Sequence, residues 1–352
     1  MFRCLFVGFL GATALALAGL PGTAQDKKDA PKKKERIAIA DPEKAKTDPD
    51  FAIQGEYEGI LIPGKDKIGA HLIAKGEGKF DVKVYPGGLP GAGWDGKTPP
   101  VLGVATRDES NKDRADVKSA DGKMSLGIIT GAPGGGMSYT YSNGKISGAL
   151  SKVERKSKTL GDKPPEGAVV LFGAPGDEKN WNGGKIVELS DGKYLGVGET
   201  TKQTFGAFKV HAEFRLPWMP NSTGQERGNS GFYLQDRYEC QVLDSFGLRG
   251  ENNECGGFYT LHKPLVNMCY PPLRWQTYDI EFTPAQFDDA GKKTKSAYAT
   301  VMHNGVKIHD NVELAKVTGG NGTPDNAKPG PFQIQNHGDP VVFRNIWAVE
   351  MK

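Results

Sequence analysis

The strongest constraint on the fold is the regular alternation of apolar and polar side chains from Phe205 to Leu216, FGAFKVHAEFRL. Successive side chains of a β-strand point to opposite faces, so this stretch predicts a long strand with one face in a core and one polar face. The apolar face consists of Phe208, Val210, Ala212, Phe214 and Leu216, and the polar face of Lys209, His211, Glu213 and Arg215.

The rest of the second half repeats this pattern. Trp275–Phe282 alternates in the same way, and Asn304-Gly305 between two extended runs is a strong hairpin signal. Few windows show helical periodicity, and the 48 Gly and 23 Pro mark recurrent turns. We therefore predict an all-β protein whose C-terminal part is a two-sheet jelly-roll sandwich. The closing strand, Val341–Met351, should place Phe343, Trp347, Val349 and Met351 on one face.

The N-terminal residues predict export. Residues 1–24 have the pattern of a secretory signal peptide, with the charge of Arg3, an apolar run from Leu5 to Leu20, and small residues before the cleavage site. The apolar run is short for a membrane span, although an uncleaved anchor is the alternative. We expect a secreted or periplasmic protein without stable membrane insertion after the signal is removed.

Residues 25–50 are rich in Lys, Asp, Ala and Pro and predict a disordered, charged tether. Its lysine run has no aromatic residues interleaved, so we expect no nucleic-acid partner. The formal net charge of +3 comes mostly from this tether and indicates little about the substrate.

Residues 51–152 predict a small antiparallel β domain of unknown role. Gly-Lys turns such as Gly78-Lys79 precede short alternating strands, because glycine supplies the positive φ that hairpin turns need. A charged linker, residues 153–167, separates this domain from the jelly-roll domain, residues 168–352.

The cysteine pattern predicts one disulfide. Cys4 would leave with the signal peptide, and Cys255 and Cys269 both lie in predicted loops, so we expect a Cys255–Cys269 bridge. Cys240 alternates with the polar residues of its strand and should be a buried free thiol. No cluster has metal-ligand spacing, so we assign no metal ligands and no required cofactor, while a divalent cation is compatible with the chemistry below.

Polar residues cluster in the stretch NSGFYLQDRYECQVLDSFG, residues 229–247. It predicts two neighbouring strands, with Tyr233 and Gln235 on one face of the first and Glu239 and Gln241 on one face of the second. A carboxylate beside an amide costs desolvation free energy unless the face lines a wet cleft. A solvated sheet face is the alternative. We interpret the stretch as a binding cleft in which Asn229 also contacts substrate.

The second half resembles the 3-keto-disaccharide hydrolase domain family. The similarity runs over about residues 168–352 and is carried, in order, by VVLF, FGAFKVHAEFRLP, GNSGFYLQ, YECQVLDSFG, GGFYTL, RWQTYDIEF, VMHNGVKIHDN and QIQNHGDPVVFRNIW. The resemblance implies a concanavalin-A-like lectin/glucanase jelly roll that cleaves 3-keto-glycosides, which are oxidised disaccharides. It does not reach residues 51–152.

A looser similarity concerns the strand from Glu239 to Asp244. Laminarinase-type glucanases carry Glu-x-Asp-x-x-Glu there, whereas this chain has Gln241 in the central position. A retaining glycosidase needs two carboxylates about 5 Å apart, so that mechanism is in doubt here. A 3-keto group acidifies the C2 proton instead, and one base can then drive elimination, followed by hydration.

Glu239 is the leading candidate for this base, with Gln241 as a hydrogen-bond partner. Asp244 and His262 complete the candidate catalytic set, although Asp244 could equally be a turn or cap residue and His262 a surface histidine. Tyr259 and His337 are further candidates for substrate contact. The alternatives to an enzyme are a non-catalytic carbohydrate-binding protein of the same fold and a scaffold protein.

Overall fold

A computed structural model describes residues 36–122, 125–130, 135–141, 146–319 and 323–351. Almost every regular element in these ranges is a β-strand, which confirms the all-β class. The predicted signal peptide, the first part of the predicted tether and Cys4 lie outside the described residues. No helix within the described ranges has the length and apolar character of a membrane span.

The first group of strands closes into an antiparallel barrel, in which each strand pairs with its chain neighbours and the first pairs with the last. Glu77 and Gly78, with φ of 56° and 71°, form one of the connecting hairpin turns. The strands are β1 (Gly55–Ile62), β2 (Lys67–Gly76), β3 (Lys79–Pro86), β4 (Val101–Arg107), β5 (Arg114–Ser119), β6 (Ser125–Thr130), β7 (Gly136–Tyr141) and β8 (Ile146–Val153).

Alternate side chains of these strands fill the barrel. In β3, Phe80, Val82 and Val84 are buried, whereas Lys79 is exposed. Trp218, which comes from the second half of the chain, belongs to the same apolar cluster. The barrel core therefore extends to a side chain from outside the barrel.

The second half forms the predicted sandwich. Its strands are mostly short at the start and long in the middle, and two 3₁₀ helices, Asp177–Asn180 and Gly224–Glu226, lie between them. The strands are β9 (Val169–Phe172), β10 (Trp181–Asn182), β11 (Ile186–Leu189), β12 (Gly192–Leu195), β13 (Glu199–Thr201), β14 (Phe208–Arg215), β15 (Asn229–Leu234), β16 (Tyr238–Leu243), β17 (Trp275–Thr283), β18 (Gln286–Phe287), β19 (Lys293–Lys295), β20 (Ala297–His303), β21 (Val306–Leu314), β22 (Gln333–Ile334) and β23 (Val342–Glu350).

Two sheets enclose the sandwich core. The smaller sheet has the order β10-β13-β22-β15-β16, and the larger sheet has the order β11-β12-β23-β14-β17-β20-β21, with β9 paired to β23. The predicted apolar face of β14 lies in the core between them. Asn304 and Gly305 form the turn between β20 and β21 with φ of 53° and 74°, which confirms the predicted hairpin.

The face assignment predicted for the last strand is wrong. Asn345 has a φ of 44°, and the pairing of β23 with β14 shifts register there, as at a bulge. Phe343 faces the core before the shift, and Ile346 and Ala348 face it afterwards. Trp347 consequently points outwards instead of sharing a face with Phe343.

The second half of the predicted tether is ordered and packed. Two short helices, α1 (Pro42–Ala45) and α2 (Pro49–Ile53), begin at the caps Asp41 and Asp48. Asp48 also accepts a 2.9 Å hydrogen bond from the Trp218 indole. The composition predicts disorder, but the caps and the contacts with Trp218 hold this segment against the barrel core.

The predicted linker also packs on the sandwich. The Thr159 hydroxyl donates to Asp279 at 2.6 Å, and the Gly161 amide donates to Glu213 at 2.6 Å. As a result Glu213, on the polar face of β14, is buried rather than solvated.

The predicted disulfide is absent from the described residues, where all three cysteines are free, buried thiols. Cys255 and Cys269 lie outside the strands, as predicted, but their side chains are buried in the sandwich core. The Cys255 Sγ contacts the Tyr278 hydroxyl at 3.2 Å, and the Cys269 Sγ lies 3.5 Å from the Leu243 carbonyl. These side chains therefore act as small apolar groups with weak polar contacts. Cys240 is a buried free thiol, as predicted.

Candidate active site

Strands β15 and β16 place the candidate residues side by side on the outer face of the smaller sheet. Their antiparallel register sets Tyr233 opposite Glu239 and Gly231 opposite Gln241. Phe232 and Cys240, which alternate with these residues, face the core. The two-residue period of the strands therefore collects the polar side chains on one surface.

The carboxylate of Glu239 is buried and has no cationic partner among the described residues. The residue is 2% exposed, and its carboxylate accepts a 2.9 Å hydrogen bond from the Tyr233 hydroxyl. Burial raises the pKa of Glu239 to about 7, although the hydrogen bond from Tyr233 opposes this rise. Burial and the nearby Glu239 raise the pKa of Tyr233, so Tyr233 remains a donor. A carboxyl group with this pKa can take up and release a proton near neutral pH.

The absence of a side chain at Gly231 makes room for this carboxylate. A Cβ atom at Gly231 would overlap Oε1 of Glu239 and lie 2.9 Å from its Cδ. Glu239 therefore lies across the backbone of the neighbouring strand, and Gly231 determines its position.

Amide side chains surround the pair. Gln335 donates to the Tyr233 hydroxyl at 3.1 Å, and Gln241 donates to the Gln225 side-chain oxygen at 3.3 Å. Asn229 donates to the Gln225 backbone oxygen at 2.9 Å, and its own side-chain oxygen is buried without a hydrogen-bond partner in the described part of the chain. The face can therefore offer several neutral donors and acceptors to a ligand rich in hydroxyl groups.

Sequence reasoning missed Gln225 and Gln335. Gln335 lies in the closing motif QIQNHG, directly after β22, which pairs with β15. The available sequence signal for Gln335 was its place in that closing motif. Gln225 comes from a loop before β15, and no strand pattern points to it.

The structure separates three predicted residues from this group. Gln235 lies in the β15–β16 turn with a φ of 54°, and its amide donates to the backbone oxygen of Phe205. Asp244 forms a buried ion pair with Arg227 at 2.6 Å. His262 is half-buried, and its Nε2 lies 2.6 Å from the Glu313 backbone oxygen.

The two remaining candidates lie at the edge of the site. The backbone amide of Tyr259, a half-buried residue, donates to the Glu239 backbone oxygen at 3.1 Å. His337 is exposed in the loop after β22. In that loop, the Asp339 carboxylate accepts a 2.7 Å hydrogen bond from the backbone N–H of Asn229 and forms an ion pair with Arg36.

Arg227 connects this site to the barrel. Its Nε donates to Asp244, and its Nη1 donates to the Ala74 backbone oxygen of β2 at 2.9 Å. The loop that contains Gln225 is therefore held between the end of β16 and the barrel.

A second polar cluster lies on the outer face of the larger sheet, under the linker. His211 contacts Asp279 at 2.6 Å, and Arg344 donates to Glu213 at 2.7 Å. Burial disfavours the charged form of His211, but hydrogen bonds to Asp279 and Glu213 outweigh it and raise the pKa of His211 to about 9. Burial of Glu213 is likewise outweighed by hydrogen bonds, chiefly from His211, which lower its pKa to about 2. The positive charges of His211 and Arg344 balance the negative charges of Asp279 and Glu213. We therefore infer that this cluster holds the linker on the sheet.

No group of three or more His, Cys, Asp or Glu side chains in the described ranges could hold a metal ion. Two cavities, of about 730 and 410 Å³, lie away from Glu239. The smaller cavity borders the second polar cluster at Asp279 and Trp347, and the larger lies between the barrel and the sandwich.

The chain matches the model of a domain family described as 3-keto-alpha-glucoside-1,2-lyase-like over residues 167–349. No curated protein matches it by sequence. A candidate glycosyl hydrolase from Parabacteroides distasonis ATCC 8503, known from a crystal structure, has 34% sequence identity to this chain. The alignment covers 53% of this chain and 85% of that chain, with a TM-score of 0.47. A second one from the same organism is 16% identical, with 53% and 95% covered and a TM-score of 0.37.

The family match supports a glycoside-acting enzyme at a coarse level. The matched residues contain β15 and β16 and so include Glu239, Tyr233 and Gln241. They exclude the barrel. Because the match covers more than half of the 352 residues, the chain belongs to the 3-keto-alpha-glucoside-1,2-lyase-like domain family.

Proposed function

We propose that the protein cleaves 3-keto-glycosides by removing the C2 proton with Glu239, followed by elimination of the C1 substituent and hydration. The observation that carries the proposal is the buried carboxylate of Glu239, whose pKa is raised to about 7 and whose neighbours are a phenol and amides. The family's description, which refers to a 1,2-lyase of a 3-keto-glucoside, agrees with elimination across C1 and C2.

The proton and electron balance of this reaction requires one base. Glu239 accepts the C2 proton while the C–H electrons form the enolate of the C3 ketone. The enolate then re-forms the ketone and expels the C1 oxygen, which takes a proton and leaves as the alcohol. Water adds across the C1–C2 double bond, with its oxygen on C1 and a proton on C2, and this completes a net hydrolysis.

The amides fit the remaining requirement, which is stabilisation of the enolate oxygen. The side chains of Gln241 and Gln335 each have N–H donors on the same face as Glu239. Neutral donors suit an oxyanion better than a second carboxylate would, because a negative charge nearby would oppose enolate formation. We propose that these donors make a cation unnecessary. A chelator should leave turnover unchanged, whereas loss of turnover would identify a metal requirement.

Substrate comparison tests the proposal. The protein should release the aglycone from an aryl 3-keto-glucoside and leave the unoxidised parent glucoside intact. With a poor leaving group, it should also exchange the C2 hydrogen with solvent deuterium. Equal release from both glucosides would contradict the proposal and favour ordinary hydrolysis.

Gln241→Glu provides a second discriminating test. It restores an acid where laminarinase-type glucanases carry one. We expect lower activity on the 3-keto-glucoside, because the added charge opposes the enolate. Increased activity on unoxidised glucans would support a glycosidase instead.

Non-catalytic carbohydrate binding is the second candidate. It is favoured by the depth of Glu239, which is only 2% exposed, and by the number of amides around it. Saturable binding of a 3-keto-glucoside without aglycone release or C2 exchange would support this candidate.

Secretion or periplasmic export is part of the proposal and rests on the sequence of residues 1–24. N-terminal sequencing of the protein recovered from an exporting host should begin near Gln25. An intact Met1 on protein recovered from the cytoplasm would contradict it.

A further inference from the structure

The larger cavity lies where the barrel, helix α2 and the sandwich meet. Its volume of about 730 Å³ falls within the range of small-ligand sites, which favour junctions of this kind. Lys152 and Arg155 line it from the end of the barrel, Phe51 lines it from α2, and Pro271 and Arg274 line it from the sandwich. A ligand in this cavity would contact both halves of the protein.

The charged side chains that line the cavity leave one basic group in excess once their ion pairs are counted, because Lys46 pairs with Glu43 outside the lining. Its described lining includes four basic side chains and two acidic ones. Both acids already have an arginine partner: Glu56 pairs with Arg155, and Glu154 pairs with Arg274. Arg155 also donates to the Pro90 backbone oxygen at 2.7 Å, which leaves it little capacity for a ligand.

Of the four basic side chains that line the cavity, Lys152 is the one that donates no hydrogen bond to a carboxylate among the described residues. Its Nζ donates to the Ala52 backbone oxygen. Burial, together with the nearby Arg274, lowers the pKa of Lys152 to about 8. An ammonium group has three donors, so Lys152 retains donors for a ligand. A bound anion would offset both unfavourable effects on its charged form.

Arg274 lies at the rim. Its side chain is 35% exposed, and one terminal nitrogen contacts Glu154, whose side chain is 59% exposed. A guanidinium group has five N–H donors, so others remain for an oxyanion. The nearby Phe51 and Pro271 provide apolar surface that a ring could cover.

We propose that this cavity binds a small organic oxyanion, a carboxylate or phosphate ester carried on a ring, through Lys152 and Arg274. This site is separate from Glu239, so it does not depend on the catalytic proposal. It also provides a role for the barrel, which supplies Lys152.

Calorimetric titration of the full chain tests the proposal with three probes: glucuronate, glucose 6-phosphate and glucose. At least one anion should bind saturably, and glucose should bind at least about tenfold more weakly. Binding of glucuronate alone would identify a carboxylate ligand, and binding of glucose 6-phosphate alone would identify a phosphate ligand. Absence of saturable binding by both anions, or equal binding of glucose, would overturn the proposal.

Variants locate the site. Lys152→Gln and Arg274→Gln should each weaken anion binding at least about tenfold. The matched control is Lys193→Gln, at a half-exposed lysine that pairs with Glu188 elsewhere on the surface. Unchanged anion binding in both cavity variants would overturn the proposal.

Chemical labelling gives a readout that does not depend on the folding of the variants. An amine-acylating reagent at pH 7.5 should modify Lys152 of the unaltered protein, and a saturating anion should slow this modification but not that of Lys193. Equal labelling of Lys152 with and without the anion would contradict the proposal.

Discussion

The Tyr233 hydroxyl donates a 2.9 Å hydrogen bond to the Glu239 carboxylate from the directly opposite position on the neighbouring strand. In the described part of the chain, this is the hydrogen bond that opposes the rise in the pKa of Glu239 caused by burial. The pair therefore combines a carboxyl group that can ionise near neutral pH with a donor that stabilises its ionised form. A pKa near the operating pH is what a base for C2 proton removal needs.

Glu239→Gln should lower turnover of a 3-keto-glucoside by about 10²–10⁴-fold, the usual contribution of a positioned general base. Sugar affinity should change little, because Gln retains the shape of Glu and can still accept from Tyr233. Steady-state kinetics and calorimetry measure the two quantities. Glu281→Gln, at an exposed acid paired with Lys209, is the control. Full activity in Glu239→Gln would remove this residue from the mechanism.

Activity should rise with pH, with a midpoint near 7, because the ionised form of Glu239 is the base and its pKa is about 7. Tyr233→Phe removes the hydrogen bond that lowers this pKa, so the midpoint should move to higher pH. The measurement is kcat/KM between pH 5 and 9. A midpoint that stays the same or falls in Tyr233→Phe would show that this contact does not control the base.

Glu239→Gln should also stabilise the fold at alkaline pH. A carboxyl group whose pKa is raised from 4.5 to about 7 on folding contributes stability that is present below pH 4.5 and lost as pH rises through 7. Removing the charge should restore up to about 3 kcal/mol above pH 7. Urea unfolding at pH 5 and pH 8 should show a larger gain at pH 8. An equal gain at both would indicate that ionisation of Glu239 is not responsible.

Gly231→Ala should displace the carboxylate, because the added Cβ would overlap Oε1 of Glu239. The expected result is a loss of turnover with the fold retained, measured by kinetics and circular dichroism. Gly206→Ala is the matched control, since a Cβ there would meet no atom within 4 Å. Equal activity of the two variants would place Glu239 outside the reaction or show that its side chain moves freely.

Arg227→Lys should raise KM more than it lowers kcat, because Arg227 holds the loop of Gln225 and does not contact Glu239. Lysine retains the charge but cannot donate to both Asp244 and the Ala74 backbone oxygen with the same geometry. In a Gln225→Ala background the additional effect on KM should shrink, as expected for residues that act through one another. Arg107→Lys, at a barrel pair with the buried Asp50, controls for the loss of an arginine from an ion pair with a buried carboxylate. Fully additive effects would contradict this positioning role.

The parts of the fold that could be predicted depend on residues that are close to one another in the sequence. The alternation in Phe208–Arg215 and the Asn304-Gly305 turn appear in the structure as expected. The two neighbouring strands that hold Tyr233 and Glu239 were predicted, but their register was not, because Gln235 lies in the turn rather than in the first strand. The burial of Cys240 follows from the same alternation.

The errors arose where long-range packing prevails over local pattern. The composition of residues 25–50 predicts a disordered tether, but residues 36–50 are packed, and Trp218 provides a buried partner for them. Cys255 and Cys269 lie in loops as predicted, but both are buried free thiols whose side chains pack in the sandwich core. Asn345 interrupts a strand whose sequence alternates without visible interruption.

By itself, the sequence determined the β class, the two neighbouring strands that hold Tyr233 and Glu239, and the face of the strand on which Gln241 lies. The reason is that strand alternation and turn geometry depend on residues a few positions apart. Only the tertiary structure decided that Gln225 and Gln335 complete the site, that Arg227 joins it to the barrel, and that Asp244 is an ion-pair partner. These contacts join segments far apart in the chain, and which segments meet depends on how the barrel and the two sheets pack.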